Sequence, residues 1–162
     1  METILVVDGY NAINAIPEAC EKLKKDLYAA RKVMVAIVAE YARSSGYITD
    51  IRVVFDGDDR YRHMDARGLS GGRKQVFSRT GKGDDTIIET VKKCSACGKV
   101  VLASNDNYVR NNSRAYGASL IFVEELVRKK RRKKMQERIP GKEIDRGLRD
   151  EITREYKEEL GL

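Results

Sequence analysis

With 162 residues, 41% of them apolar and 35% charged, the chain can bury one good core and is short for two independent domains. Its apolar runs are far too short to cross a bilayer, and the first residues lack the charged-then-apolar order of a secretory signal, so the cytoplasm is the expected compartment. The net charge of +7 equals that of one segment, Arg128-Lys129-Lys130-Arg131-Arg132-Lys133-Lys134, so the basicity is local. Such a run is either a solvated face or a grip on a polyanion whose counterions it displaces; no lipidation signal or strongly apolar helix face directs it to a membrane.

In chain order, Ile4 to Val7 is a short β-branched run bounded by Gly9 and reads as a strand buried on both faces. Asp8 then stands at the strand's carboxyl end, where open α/β sheets bind ligands, although Asp-Gly is also ordinary turn chemistry. A loop through Asn11 to Pro17 leads into a long helix, with Leu23, Leu27, Ala30, Met34, Ile37 and Tyr41 forming a core stripe that carries no chemistry. Ser44-Ser45-Gly46 ends it. Ile51 to Phe55 is the second strand and runs into Asp56-Gly57; a right-handed crossover puts Asp8 and Asp56 at the same edge of the sheet. Residues 58–74 lose periodicity and collect Arg60, Arg62, Arg67, Arg73 and Lys74 beside Tyr61, which suits either a solvated loop or a nucleic-acid backbone with a stacked base. Gln75 to Ser78 is a short strand nearer the sheet's edge.

Asp84 and Asp85 open the next helix, with Thr86 and Glu89 at capping-box spacing; capping and the helix dipole account for one of these acids more comfortably than for both. Gly81-Lys82-Gly83 lacks the spacing of a Walker loop. Cys20, Cys94 and Cys97 are odd in number for a disulfide framework, and Cys94-Ser95-Ala96-Cys97 is a lone CxxC with no second pair and a single histidine, His63, in the chain, where a closed zinc site needs four ligands. Cys94 to Cys97 reads as a helix end with small buried thiols. Val100 to Ala103 is a buried strand continued by Ser104-Asn105-Asp106-Asn107, and Ala118 to Val123 is the last strand. Beyond the cations, Ile144, Leu148, Ile152, Tyr156 and Leu160 recur every fourth residue. They form an amphipathic helix that either packs on the domain's own surface or makes a homodimer contact. The expected organisation is a domain over residues 1–126 and a basic, helical extension over 127–162.

Three acids thus follow strands, and two more open a helix. In a doubly wound sheet Asp8, Asp56, Asp84, Asp85 and Asp106 converge on one crevice. Two such charges about 4 Å apart repel by roughly 4 kcal/mol at an effective dielectric near 20, so either their pKa values rise or a cation sits among them. Magnesium or manganese suits a site built from carboxylates alone.

Val7-Asp8-Gly9-Tyr10-Asn11, Val53-Val54-Phe55-Asp56, Lys82-Gly83-Asp84-Asp85 and Ala103-Ser104-Asn105-Asp106, in that order, resemble the YacP-like branch of the NYN-domain proteins, relatives of the PIN-domain ribonucleases. The likeness covers roughly residues 1 to 130. It implies a Rossmann-like three-layer α/β/α fold with a mainly parallel sheet and metal-dependent endonucleolytic cleavage of RNA. Carried over by position, Asp8, Asp84 and Asp106 are the principal catalytic and metal-binding acids. Asp56 and Asp85 are further ligands, and Asn11 and Asn105 are supporting residues. Gly83 stands where a small residue such as alanine is expected, and Asp85 where glutamate is common. Arg60, Arg62, Arg73, Lys74, Lys82, Arg128, Lys129, Lys130, Arg131 and Arg132 are the candidate contacts to RNA, free or on the ribosome. The competing reading is an RNA- or ribosome-binding adaptor with a vestigial acidic site. A dehalogenase-type phosphotransferase ranks below both, since it calls for an acid at position 10, which is tyrosine.

Overall fold

The computed structural model describes residues 2–57, 74–78 and 82–128. Strand β1 (Thr3–Asp8) is followed by three helices, α1 (Gly9–Ala15), α2 (Pro17–Leu23) and α3 (Leu27–Ser45). Then come β2 (Asp50–Asp56), β3 (Lys74–Ser78), α4 (Gly83–Ser95), β4 (Lys99–Ala103), α5 (Asn107–Ala115) and β5 (Ser119–Ile121). The strands form one sheet in the order β3-β2-β1-β4-β5, and every pairing is parallel. As expected, β3 lies at an edge and β1, buried from Ile4 onward, at the centre.

Alternation along the strands sorts two cores onto the two faces of the sheet. Leu5, Val7, Val53, Phe55, Val101 and Ala103 pack with Ala12, Ile13, Met34 and Val38 of α1 and α3. Ile4, Val6, Val54, Val100 and Leu102 pack with Ile87, Val91 and Cys94 of α4 and Val109 of α5. Helices on both sides of a parallel sheet make the expected three-layer α/β/α fold. Two steps of that alternation carry Ile4 to Asp8 and one carries Val54 to Asp56, so both acids belong to the α4 and α5 side.

Several local expectations are corrected. Instead of a loop, Gly9 to Ala15 forms α1 and Pro17 opens α2, with only Ile16 extended between them, because Asp8 caps α1 by accepting the Asn11 N–H at 3.2 Å and Pro17 occupies the first turn of α2. The stripe from Leu23 to Tyr41 spans two helices. Asp26 separates them by capping α3, accepting the N–H groups of Tyr28 and Ala29. Gly46, at φ +73°, ends α3 as expected. Thr86 and Glu89 form no capping box: α4 starts at Gly83, Lys82 is its N-cap without a side-chain bond, and Thr86 already donates its N–H to Lys82. Strand β5 is shorter than expected, because side chains take over where the ladder would continue: the Phe122 N–H goes to Glu125 and the Val123 N–H to Asn105. Cys94 is buried in the last turn of α4, but Cys97 is exposed, and all three cysteines are free.

Candidate active site

The two Asp-Gly pairs that end strands turn out to differ. Gly57, at φ +120°, is a turn glycine. Gly9 is the first residue of α1, where an added Cβ would stand 2.4 Å from the Phe55 ring and 2.7 Å from the Val54 carbonyl oxygen. Glycine is required there by close approach, and that approach aims the start of α1 across the carboxyl ends of β1 and β2. Gly83 plays a similar part. A Cβ on it would lie 2.9 Å from Cβ of Asp56, so α4 can begin directly against the end of β2. A glycine where alanine was expected is thereby explained.

These approaches close a hollow of about 290 Å³ at the carboxyl edge of the sheet, lined by Asp8, Asp56, Asp84 and Asp106 together with Tyr10, Asn11 and Asn14. Chain order leaves β1 toward β2 and β3 on one side and returns to β4 and β5 on the other, so the crevice between β1 and β4 is the topological switch point. Asp8 is buried, and its carboxyl is pushed up to about 6 from 3.8. Desolvation is the main cause; hydrogen bonds from the Asn11 N–H and the Ser104 hydroxyl oppose it, and the charges of Asp84 and Asp106 add to it. Asp84, at the exposed mouth, is raised as well, by its partial desolvation and then by Asp106, Asp56 and Asp85.

The acids are held by a small network. Ser104, fully buried, donates its hydroxyl to Oδ2 of Asp8 at 3.1 Å and accepts the Asp106 N–H at 3.1 Å. Asp106 caps α5 by accepting the Val109 N–H at 2.9 Å. Asn11 accepts the Asn105 N–H at 2.9 Å, and Asn105 in turn accepts the Val123 N–H and donates to Glu124. The loop after β4 is therefore tied to α1 on one side and to the segment after β5 on the other. Behind Tyr10 lies Arg31 of α3, a buried cation that donates to the tyrosine hydroxyl at 2.5 Å and faces the rings of Tyr10 and Phe55.

Of the residues expected from sequence, the structure brings Asp8, Asp56, Asp84, Asp106 and Asn11 to one hollow, with Asn105 bonded behind them. Asp85 is not among the lining residues; exposed on α4, it pairs with Lys82 at 3.9 Å. Arg128 is exposed, and Lys74 opens β3. Arg60, Arg62, Arg73, Lys129, Lys130, Arg131, Arg132 and the C-terminal amphipathic segment lie outside the described residues. Ser104 and Arg31 were not singled out from sequence. A serine two residues before an acid carries no distinctive pattern, and an arginine on a long helix reads as one more solvated cation.

The donor set fits a hard divalent cation: it is all oxygen, and burial together with mutual repulsion already raises two of the acids. Among the described residues no three acids stand close enough to cage an ion as they lie. Magnesium, which keeps several waters and takes one or two carboxylates, requires no such cage.

Carboxylates gathered at the switch point of a parallel α/β/α sheet, with no histidine or cysteine among the described lining residues, suit the PIN-like nuclease class of domain. The chain belongs to the YacP-like NYN domain family, whose model matches residues 5–161. Among solved structures it is similar to Rae1 (YacP) from Bacillus subtilis, at 26% identity and a TM-score of 0.60, covering 98% of this chain and 95% of that one. A point mutant of the same Bacillus protein matches at 25% identity and a TM-score of 0.57, over 86% of each chain. None of the curated proteins matches.

Proposed function

We propose that this chain is a metal-dependent endoribonuclease that hydrolyses phosphodiesters of single-stranded RNA, with magnesium or manganese as its cation. The convergence of Asp8, Asp56, Asp84 and Asp106 on one hollow carries the reading, and membership of the NYN family supports RNA as the substrate class. One or two of Asp8, Asp84 and Asp106 would hold the cation directly and the rest through its waters, with Asp56 beside them. Bound there, it supplies a water of lowered pKa and neutralises charge developing on the phosphate.

The chain's own groups set the geometry. The Asn11 N–H and the Ser104 hydroxyl each bond one oxygen of Asp8, which stops the carboxylate from rotating and leaves a lone pair on each oxygen for the site. Ser104 also bonds the Asp106 N–H, so these two acids keep a constant relation. Asn14, exposed at the rim, can donate to a phosphate oxygen. The cations of residues 60–74 and 128–134 would hold the phosphate backbone, for RNA free or on the ribosome. The C-terminal segment would serve as an appendage of the same domain or as a dimer contact.

Incubating the protein with labelled structured and unstructured RNAs tests the proposal. Internal cuts are expected with magnesium or manganese, and none in excess chelator or with Asp8→Asn. RNA that is retarded in a gel yet uncut with every metal would reject the nuclease and leave an RNA-binding adaptor.

A further inference from the structure

Phe122 is the first residue after β5, and it remains 53% exposed. Scattered exposed apolar residues are ordinary, but this one is built in. Its backbone N–H donates to Oε1 of Glu125 at 3.1 Å, and the next N–H, of Val123, donates to Asn105. One face of the ring carries the guanidinium of Arg110, whose central carbon lies 4.1 Å from the ring centroid. That guanidinium is itself fixed, donating through Nη1 to the carbonyl oxygens of Ser104 at 2.8 Å and Ile121 at 3.0 Å. The ring is thus clamped from the backbone and from one face, while about half of the residue stays exposed.

The clamp stands at the same carboxyl edge of the sheet as the acidic hollow, outside the residues that line it. Val7 pairs with Ala103 and Ala103 with Ile121, so Asp8, Ser104 and Phe122 end three adjacent strands at one level. Two strand spacings, about 10 Å, separate Asp8 from Phe122 along that edge. Arg110 and Asn105 connect them physically, because both bond the loop that carries Asp106 and the segment that carries Phe122.

We propose that Phe122 is a stacking platform for one unpaired nucleobase of the RNA whose phosphate lies in the hollow, with Arg110 as the residue that positions the ring. The inference rests on the nuclease reading and names how that site selects single strands. A base within a duplex has both faces covered by its neighbours, whereas an unpaired base can lie on a preset aromatic face, and stacking of this kind tolerates any base. A second copy of the chain or another protein would have no need of an aromatic held at this distance from the acids.

The test uses the cleavage-inactive Asp8→Asn protein with magnesium, a fluorescent single-stranded oligoadenylate and anisotropy as the readout. Adding Phe122→Ala is expected to weaken binding about tenfold. Phe122→Trp restores it, and an RNA with a single abasic site at the stacked position binds equally with or without Phe122→Ala. The proposal is overturned if Phe122→Ala leaves the affinity unchanged, or if its loss persists with an abasic site at every position. It is also overturned if Tyr116→Ala, removing an exposed aromatic at the other end of the sheet, produces the same loss. Cleavage by the wild-type protein is scored separately. A nuclease indifferent to Phe122 refutes the platform alone, and a platform on an RNA that is never cut refutes the nuclease alone.

Discussion

Burial drives the Asp8 carboxyl up to about 6, while the Asn11 N–H and the Ser104 hydroxyl pull it back. The unfolded value is near 3.8, so the fold favours the protonated form. This contribution to stability is whole below about pH 4 and is lost as pH rises through about 6. Asp8→Asn keeps an acceptor for the cap bond without the charge. At pH 7 to 8 and without metal it should therefore raise stability, by about 1–3 kcal/mol, while removing cleavage. Thermal melts across pH check this, and a mutant less stable than wild type at pH 8 would contradict a penalised carboxylate. Ser104→Ala removes a bond that lowers the Asp8 pKa and leaves the Asp106 N–H without its acceptor. The acidic limb of the pH–rate profile at subsaturating metal should then move to higher pH. A limb that stays in place would mean that Ser104 does not bear on Asp8. The acids were legible from sequence because each follows a strand or opens a helix. Ser104 was not, since its role consists of contacts to residues on other elements, one of them 96 positions away.

Among the elements, the starts of α1 and α4 matter most for the site, and each depends on a missing side chain. Gly9→Ala would press a methyl into the Phe55 ring and the Val54 carbonyl, inside the core beneath α1. It is expected to destabilise the protein by about 2–3 kcal/mol, the upper part of the range for overpacking. Gly83→Ala meets first the Asp56 side chain, at the carboxyl edge on the other face of the sheet, and should cost about 1 kcal/mol. Its main effect should fall on activity, because moving the start of α4 moves Asp84 off the hollow. Denaturant melts and cleavage rates on both variants separate the two cases, and a Gly83→Ala enzyme with wild-type activity would show that α4 need not touch β2. Sequence periodicity located the strands and the core stripe of α3. It read α1 as a loop because seven residues, Gly9–Ala15, are too few for a helical period to stand out.

For the molecule as a whole, gathering acids at one rim stores repulsion that a cation relieves, so ligand binding and folding are linked. A cation that binds only the folded form stabilises it by about 2.7 kcal/mol at a hundred times its Kd. Magnesium or manganese should therefore raise Tm in a concentration-dependent way for the wild-type chain and much less for Asp8→Asn. An equal rise in both would place the cation elsewhere. No described helix is long and apolar enough to cross a membrane, consistent with the short apolar runs of the sequence.

The division between sequence and tertiary structure follows from the range of the interactions. Strand identity, the parallel α/β class and the positions of the acids are carried by runs of a few residues, whose branching, alternation and turn chemistry act locally; these were readable in the chain. Which acids share the hollow was decided by packing. Asp56 and Asp84 meet because Gly83 lets α4 touch β2, whereas Asp85, its neighbour on the same helix, pairs with Lys82 outside the lining. Arg31 is buried behind Tyr10, and Phe122 is propped on Arg110, for the same reason. Such contacts join residues from separate elements, and their existence depends on how helices settle on a twisted sheet, which no short stretch of sequence specifies.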